Sequence, residues 1–326
     1  MRRREFMSVL GVAAATWPLA ARAQQPTVPV LGFLGAESAA TNEHFVDAFR
    51  QGMRELGHID GQNIILERRW AEGRSERFPT LIDELLRLKA NIILAVSLPA
   101  ALAAKKATTT NPIVFIASDP LGSGLVSSLG RPGGNLTGFS LSLGDEFSSK
   151  WLELLIEAIP NVTRVAVLWN PTNPASSHYV TVLRQAAEKL GVTLQPHAVN
   201  DPGGFEGAFA NMAAGRAQAL IVVVDPLTVR FRERIVSLAM EKRLPTMCGF
   251  REFAEAGGVM AYGVNVASLS RRAAGYVDKI LKGTKPGDLP VEQPTHFELI
   301  INLQTAKALG IEITPTLIAR ANEVIE

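Results

Sequence analysis

Residues 91–120 read NIILAVSLPAALAAKKATTTNPIVFIASDP, and this stretch decides the fold class. Ile92–Val96 and Ile113–Ala117 are uninterrupted apolar runs of strand length, while Pro99–Thr108 between them is Ala- and Lys-rich and helical in pattern. A strand that is apolar at every position is buried on both faces, so helices must cover both sides of a parallel sheet. Each run also passes directly into a polar residue and a proline, as Ser97-Leu98-Pro99 and as Asp119-Pro120. Such residues cap and start helices.

The same rhythm extends in both directions. Toward the N-terminus the expected elements are a strand at Val28–Leu34, then a helix from about Thr41 with Phe45, Phe49, Met53 and Leu56 on one face and Gly57 as its stop. A strand at Asn63–Glu67 and a helix at Phe78–Lys89 follow. Toward the C-terminus the pattern breaks across residues 119–138, which hold six glycines and two prolines. A second series then starts with a helix at Asp145–Ala158 and a strand at Val165–Trp169. Next come a helix at Ser176–Leu190, stopped by Gly191, and a strand at Val192–Gln195. The series closes with Phe205–Ala214 (helix), Ala219–Val224 (strand), Val229–Lys242 (helix) and Val259–Tyr262 (strand). A helix at Ser268–Leu281, a strand-like Phe297–Leu303 and a short helical region end the chain. Two interrupted strand–helix series predict an α/β protein with two Rossmann-like lobes, each with a parallel sheet.

The chain has 326 residues, 47% of them hydrophobic, 20% charged, and one cysteine, Cys248. The mean hydropathy of +0.14 excludes a disordered chain, and one cysteine excludes an internal disulfide or a thiolate zinc site. The formal charge of +2 is a property of the N-terminus. Residues 1–23 contain Arg2, Arg3, Arg4 and Arg22 against Glu5, and the remainder carries 29 basic and 30 acidic side chains. A near-neutral remainder offers no electrostatic case for binding nucleic acid.

Arg2-Arg3-Arg4, the apolar run Met7 to Leu19 and the Ala21-Arg22-Ala23 site form the basic head, greasy segment and small-residue cleavage site of a secretion signal. Arg3-Arg4-Glu5-Phe6 fits the twin-arginine variant of that signal. The expectation is cleavage after Ala23 and a periplasmic mature protein beginning at Gln24.

Ligands of open parallel sheets bind beyond the carboxyl ends of the strands. Ser97-Leu98-Pro99, Asp119-Pro120, Asn170-Pro171 and Asp225-Pro226 each follow a strand. At any one junction this is capping chemistry; four junctions from two lobes predict a cleft rim carrying hydroxyl, carboxylate and amide groups. That set suits a small zwitterion. Free N–H groups at helix starts with Ser97 or Ser118 would hold a carboxylate, and Asp119 or Asp225 would pair with an ammonium group. Asn170 adds an amide, and Trp70, Phe139, Phe250 and Tyr262 are candidates to flank an apolar or aromatic side chain. Glu37, after the first strand, reads as a solvated cap. The five histidines lack metal-ligand spacing, and no nucleophile elbow or phosphate-binding loop occurs. Gly122-Ser123-Gly124-Leu125-Val126-Ser127 lacks the third small residue of a dinucleotide site. No catalytic residue, metal or cofactor is expected.

Several stretches carry a family resemblance. They include Glu67-Arg68-Arg69-Trp70-Ala71-Glu72-Gly73, Asn111-Pro112-Ile113-Val114-Phe115, Arg131-Pro132-Gly133-Gly134-Asn135 and Arg164-Val165-Ala166-Val167-Leu168-Trp169-Asn170-Pro171. Tyr276-Val277-Asp278-Lys279-Ile280-Leu281-Lys282-Gly283 and Leu289-Pro290-Val291-Glu292-Gln293-Pro294 extend the match to nearly the whole chain. The sequence resembles the ABC transporter substrate-binding proteins of the tryptophan/tyrosine type. The resemblance implies the periplasmic binding protein type I architecture, with a ligand cleft between the lobes. It also implies lobe 1 from residues 24–140 and 264–293, and lobe 2 from 141–263 and 294–326. Family members usually read Gly-Thr-Pro where this chain has Ser97-Leu98-Pro99, so the pocket wall differs there.

The function expected is capture of a small molecule, an aromatic or branched amino acid or related carboxylate, and delivery to an ABC permease by a monomer. Two alternatives remain open at this point: a binding protein that presents its closed form to a membrane receptor, and a periplasmic enzyme.

Overall fold

The computed structural model describes residues 28–141 and 145–326, so the expected signal segment lies outside the described residues. The first series of elements is β1 (Val30–Gly35), α1 (Ala39–Glu55), β2 (Ile65–Trp70), α2 (Phe78–Arg87), β3 (Ile92–Val96), α3 (Leu98–Ala107), β4 (Ile113–Ala117) and β5 (Leu136–Ser140). Its strands form a wholly parallel sheet in the order β2-β1-β3-β4-β5. All of β3, β4 and β5 is buried, as apolar runs between two helical layers must be. The sequence pattern missed β5 because Thr137 and Gly138 interrupt its apolar character. Gly138 is there for space: its φ is +153°, and a Cβ on it would lie 2.0 Å from the Phe115 carbonyl oxygen of β4.

The second series is α4 (Asp145–Ala158), β6 (Arg164–Trp169), α5 (Pro174–Leu190), β7 (Thr193–Ala198), α6 (Phe205–Ala214), β8 (Ala219–Val222), α7 (Pro226–Arg230), α8 (Arg232–Glu241), β9 (Thr246–Cys248), α9 (Arg251–Glu255) and β10 (Met260–Gly263). The chain closes with α10 (Val266–Leu281), β11 (Glu298–Asn302), α11 (Leu303–Leu309), α12 (Pro315–Ala319) and β12 (Glu323–Ile325). The second sheet runs β12-β11-β10-β9-β8-β6-β7. It is parallel except where β11 pairs antiparallel with β10, so it is mixed rather than wholly parallel. The strand β9, three residues long, and the helix break at Phe231 were not visible in the pattern. Asp225 caps α7 a turn earlier than Val229, and Phe231, whose ring packs on Phe205 at 6.0 Å, separates α7 from α8.

The protein is thus a two-lobe α/β structure. Between β10 and β11 the chain visits the first lobe. There α10 packs along α1 so closely that a Cβ on Gly52 would meet the Arg271 carbonyl oxygen at 2.3 Å. Residues near Glu292 then run beside β5, with Ser140 donating its N–H to the Glu292 carbonyl at 2.8 Å.

Candidate ligand-binding site

The strand order reverses between β1 and β3 in the first sheet and between β6 and β8 in the second. Loops leaving neighbouring strands at such a switch point diverge and open a crevice. The two crevices face each other across one cavity, which both lobes line. From the first lobe come Glu37 after β1, Asn42 and Phe45 on α1, Ser97 after β3 and Ser118 after β4. From the second come Asn173 after β6, Asp225 after β8, and Phe250 and Glu252 after β9. Val96, Ile116, Val224 and Val229 supply apolar wall.

Asp225 is held from three directions. It accepts the Asn170 Nδ2–H at 2.9 Å, the Asn173 Nδ2–H at 2.8 Å and the Leu227 N–H at 2.8 Å. It is 3% exposed, and burial pushes its carboxyl above the ordinary aspartate range against the opposing pull of these donors. Glu37 is 7% exposed and accepts a hydrogen bond from the Asn42 side chain. Burial is the main force that pushes its carboxyl up to about 8, and the charges of Asp225 and Glu252 add to it. The expectation that Glu37 is a solvated cap is therefore corrected. A sequence shows that a residue follows a strand, not that another lobe closes over it. Asn42 and Asn173 were missed for the same reason.

Among the residues expected at the rim, Ser97, Ser118, Asp225 and Phe250 line the cavity. Asn170 stands behind it as a support of Asp225. Asp119 turns away from the cavity to accept the Gly122 N–H at 2.9 Å. Phe139 is 1% exposed in the first core, its ring 4.9 Å from that of Tyr276. Tyr262 stacks on Phe297 at 5.7 Å, and Trp70 packs on Phe33 at 5.6 Å. Asp119, Phe139, Tyr262 and Trp70 are not among the cavity-lining residues. Alternation along a strand decides which strand-end side chain faces a cleft, and a one-residue difference reverses it.

Ser97 carries a conformational cost. Its φ of 142° and ψ of 158° lie in a region that is essentially reserved for glycine. Its Oγ accepts the Ala100 N–H at 3.3 Å and caps α3. Ser97→Gly is expected to stabilise the protein by about 1 kcal/mol, because relief of strain outweighs the lost cap. Ser97→Ala keeps the strain, loses the cap and is expected to cost about 1 kcal/mol. Thermal unfolding of the two variants checks the opposite signs.

Two contacts tie the lobes together beside the cavity: the ion pair of Arg230 with Glu72 at 3.2 Å and the hydrogen bond between the His44 ring and Glu252 at 3.3 Å. Among the described residues no group of three or more His, Cys, Asp and Glu side chains is placed to hold a metal ion.

The sequence profile of the family described as ABC transporter substrate binding protein matches residues 29–325. The chain belongs to this family. Membership implies a small-molecule ligand and an ABC permease partner, and an extracytoplasmic place of work; no helix among the described residues is long and apolar enough to cross a membrane. Among relatives of this substrate-binding protein is a tyrosine-binding protein of Clostridioides difficile (strain R20291), 28% identical over 265 residues, which are 81% of this chain and 76% of that protein. An ABC domain from Streptococcus pneumonia in complex with L-Trp superposes with a TM-score of 0.85 at 25% identity, over 91% of this chain and 99% of the other. A ligand-free, open substrate binding protein from Clostridium difficile has the same identity and coverage, 25%, 91% and 99%, but a TM-score of only 0.67. This substrate-binding protein superposes better on the L-Trp complex than on the ligand-free, open form.

Proposed function

We propose that this substrate-binding protein captures an aromatic amino acid outside the cytoplasm and hands it to an ABC permease. The observation that carries the ligand class is a cavity with carboxylates on both lobes, hydroxyl and amide groups beside an apolar wall, and no basic side chain among the described residues of its lining. In this reading Asp225 and Glu37 hold the α-ammonium group by charge-assisted hydrogen bonds. The hydroxyls of Ser97 and Ser118 take the ligand carboxylate, and Phe45 and Phe250 flank its ring. The tyrosine-binding relative and the L-Trp complex support the same class.

The lobes are composed of residues 24–140 with 264–293 and of 141–263 with 294–326, and they close about the three crossings between them. Binding without turnover is the activity. The family supports it, and the lone thiol does not contradict it, since burial pushes Cys248 up to about 12 and keeps it protonated. Residues 1–23 export the chain by the twin-arginine route and are removed after Ala23, leaving a periplasmic monomer.

Thermal-shift measurements test the ligand class. A ligand at 100 times its Kd adds about 2.7 kcal/mol to stability, so tyrosine, tryptophan or phenylalanine is expected to raise the melting temperature by several degrees. A response to sugars alone would overturn the proposal.

A further inference from the structure

The cavity joins Glu37 on one lobe to Asp225 and Glu252 on the other, and no Lys, Arg or His is among the described residues of its lining. The basic groups around it are already engaged. His44 on α1 is bound to Glu252, Arg230 on α7 to Glu72, and Arg251 on α9 to Glu255 and Glu323 at 2.9 and 2.7 Å. Glu72 reaches Glu37 only through its backbone, by an N–H donated to the Glu37 carbonyl at 3.0 Å. Glu37 and Asp225 are both more than nine-tenths buried, and their other partners are the neutral amides of Asn42, Asn170 and Asn173 and the Leu227 N–H. Among the described residues, no basic side chain lies in the cavity lining beside Glu37 and Asp225 to neutralise them.

We propose that Glu37 is the specificity-determining residue that makes closure of the lobes conditional on a cationic amine. Bringing Glu37 against Asp225 and Glu252 removes charge from water and sets like charges together, and both effects oppose closure. A ligand ammonium group between the lobes reverses the sign of that interaction. A ligand of the same shape without the amine leaves the repulsion in place, so it does not shift the equilibrium toward the closed form. The inference builds on the reading of this cavity as an ammonium-binding site and adds which residue enforces it and how.

Protonation is the other way to remove the repulsion. In the closed arrangement Glu37 holds its proton up to about 8, whereas an exposed glutamate releases it near 4.5. The closed form therefore binds this proton more tightly than an open form in which Glu37 meets water, and closure of the empty protein is favoured as pH falls between those values. Above about 8 the advantage is gone.

Small-angle X-ray scattering of the ligand-stripped protein at pH 8 and pH 5 tests this. Empty wild-type protein is expected to be open at pH 8 and to contract by about 1 Å from a radius of gyration of roughly 20 Å at pH 5. Glu37→Gln is expected to be contracted at both pH values. His44→Gln is expected to keep the wild-type pH response, which separates Glu37 from protonation of the His44–Glu252 pair. At pH 8 tyrosine is expected to contract the wild-type protein, and 3-(4-hydroxyphenyl)propionate, which lacks the amine, is not. Glu37→Gln is expected to bind tyrosine about tenfold or more weakly.

The proposal is overturned if empty wild-type protein has the same radius at both pH values, if Glu37→Gln stays open at pH 8, or if the desamino compound closes the lobes as tyrosine does. Should Glu37→Gln fail to fold, the pH series on wild type and His44→Gln decides. Expected behaviour of the empty protein without any response to tyrosine would overturn the ligand assignment and leave the charge gate standing.

Discussion

Asp225→Ala is expected to abolish the ligand-dependent rise in melting temperature and to destabilise the empty protein by about 3–5 kcal/mol. Three donors, from Asn170, Asn173 and Leu227, converge on this carboxylate at 2.8–2.9 Å. Each is buried with Asp225, and truncation leaves all three without an acceptor. A buried donor left unpaired costs about 1–3 kcal/mol, and the sum is lowered by local rearrangement. The same carboxylate caps the start of α7, where the backbone N–H of Asp225 donates to Thr228 Oγ1 at 3.1 Å. Asp225→Asn separates the two roles. The shape and one acceptor remain, so the stability loss is expected to be about half as large, while the charge that would meet an ammonium group is gone. Calorimetric titration with tyrosine and thermal unfolding read the two effects separately. Full ligand affinity in Asp225→Asn would remove Asp225 from the binding site.

Trp151→Ala is expected to be the most damaging change outside the cavity. Trp151 is fully buried on α4 against Phe147 at 5.1 Å and Tyr179 at 5.7 Å, and its indole N–H donates to the Tyr262 carbonyl at 2.7 Å. Loss of the ring costs about 3–5 kcal/mol through the cavity it leaves, and the orphaned Tyr262 carbonyl adds about 1 kcal/mol. A fall in melting temperature of about 10 °C or more follows for a chain of this size. Binding should weaken too. The ring packs under Gly249, where a Cβ would lie 2.7 Å from both the ring and Val224, so it supports the strand ends that carry Asp225 and Phe250. Trp151→Phe keeps most of the packing without the donor and is expected to lose about 1–2 kcal/mol. A Trp151→Ala variant with unchanged tyrosine affinity would show that those loops hold their shape without it.

Much of the architecture was legible in residues 91–120 and their extension, because apolar runs such as Ile92–Val96 and Ile113–Ala117 can satisfy their burial in few ways. The misses have local causes. Leu136–Ser140 hid behind Gly138, needed for close approach to β4. Thr246–Cys248 was too short to show a period. The antiparallel pairing of β11 has no local signature at all, since direction is set by where the chain returns from.

The site divides along the same line. The residue types at the strand ends, Ser97, Ser118, Asp225 and Phe250 among them, were present in the sequence as a chemical vocabulary, since strand ends at a switch point are where side chains escape the sheet. Only the tertiary structure separated them from Asp119, Phe139 and Tyr262, which belong to a turn or a core. It alone brought Glu37 against Asp225, residues far apart in the chain, and made a surface-looking glutamate a buried one. Strand and helix follow from short-range periodicity, which one sequence displays. Burial of a charge by an opposing lobe depends on distance in space, which it does not.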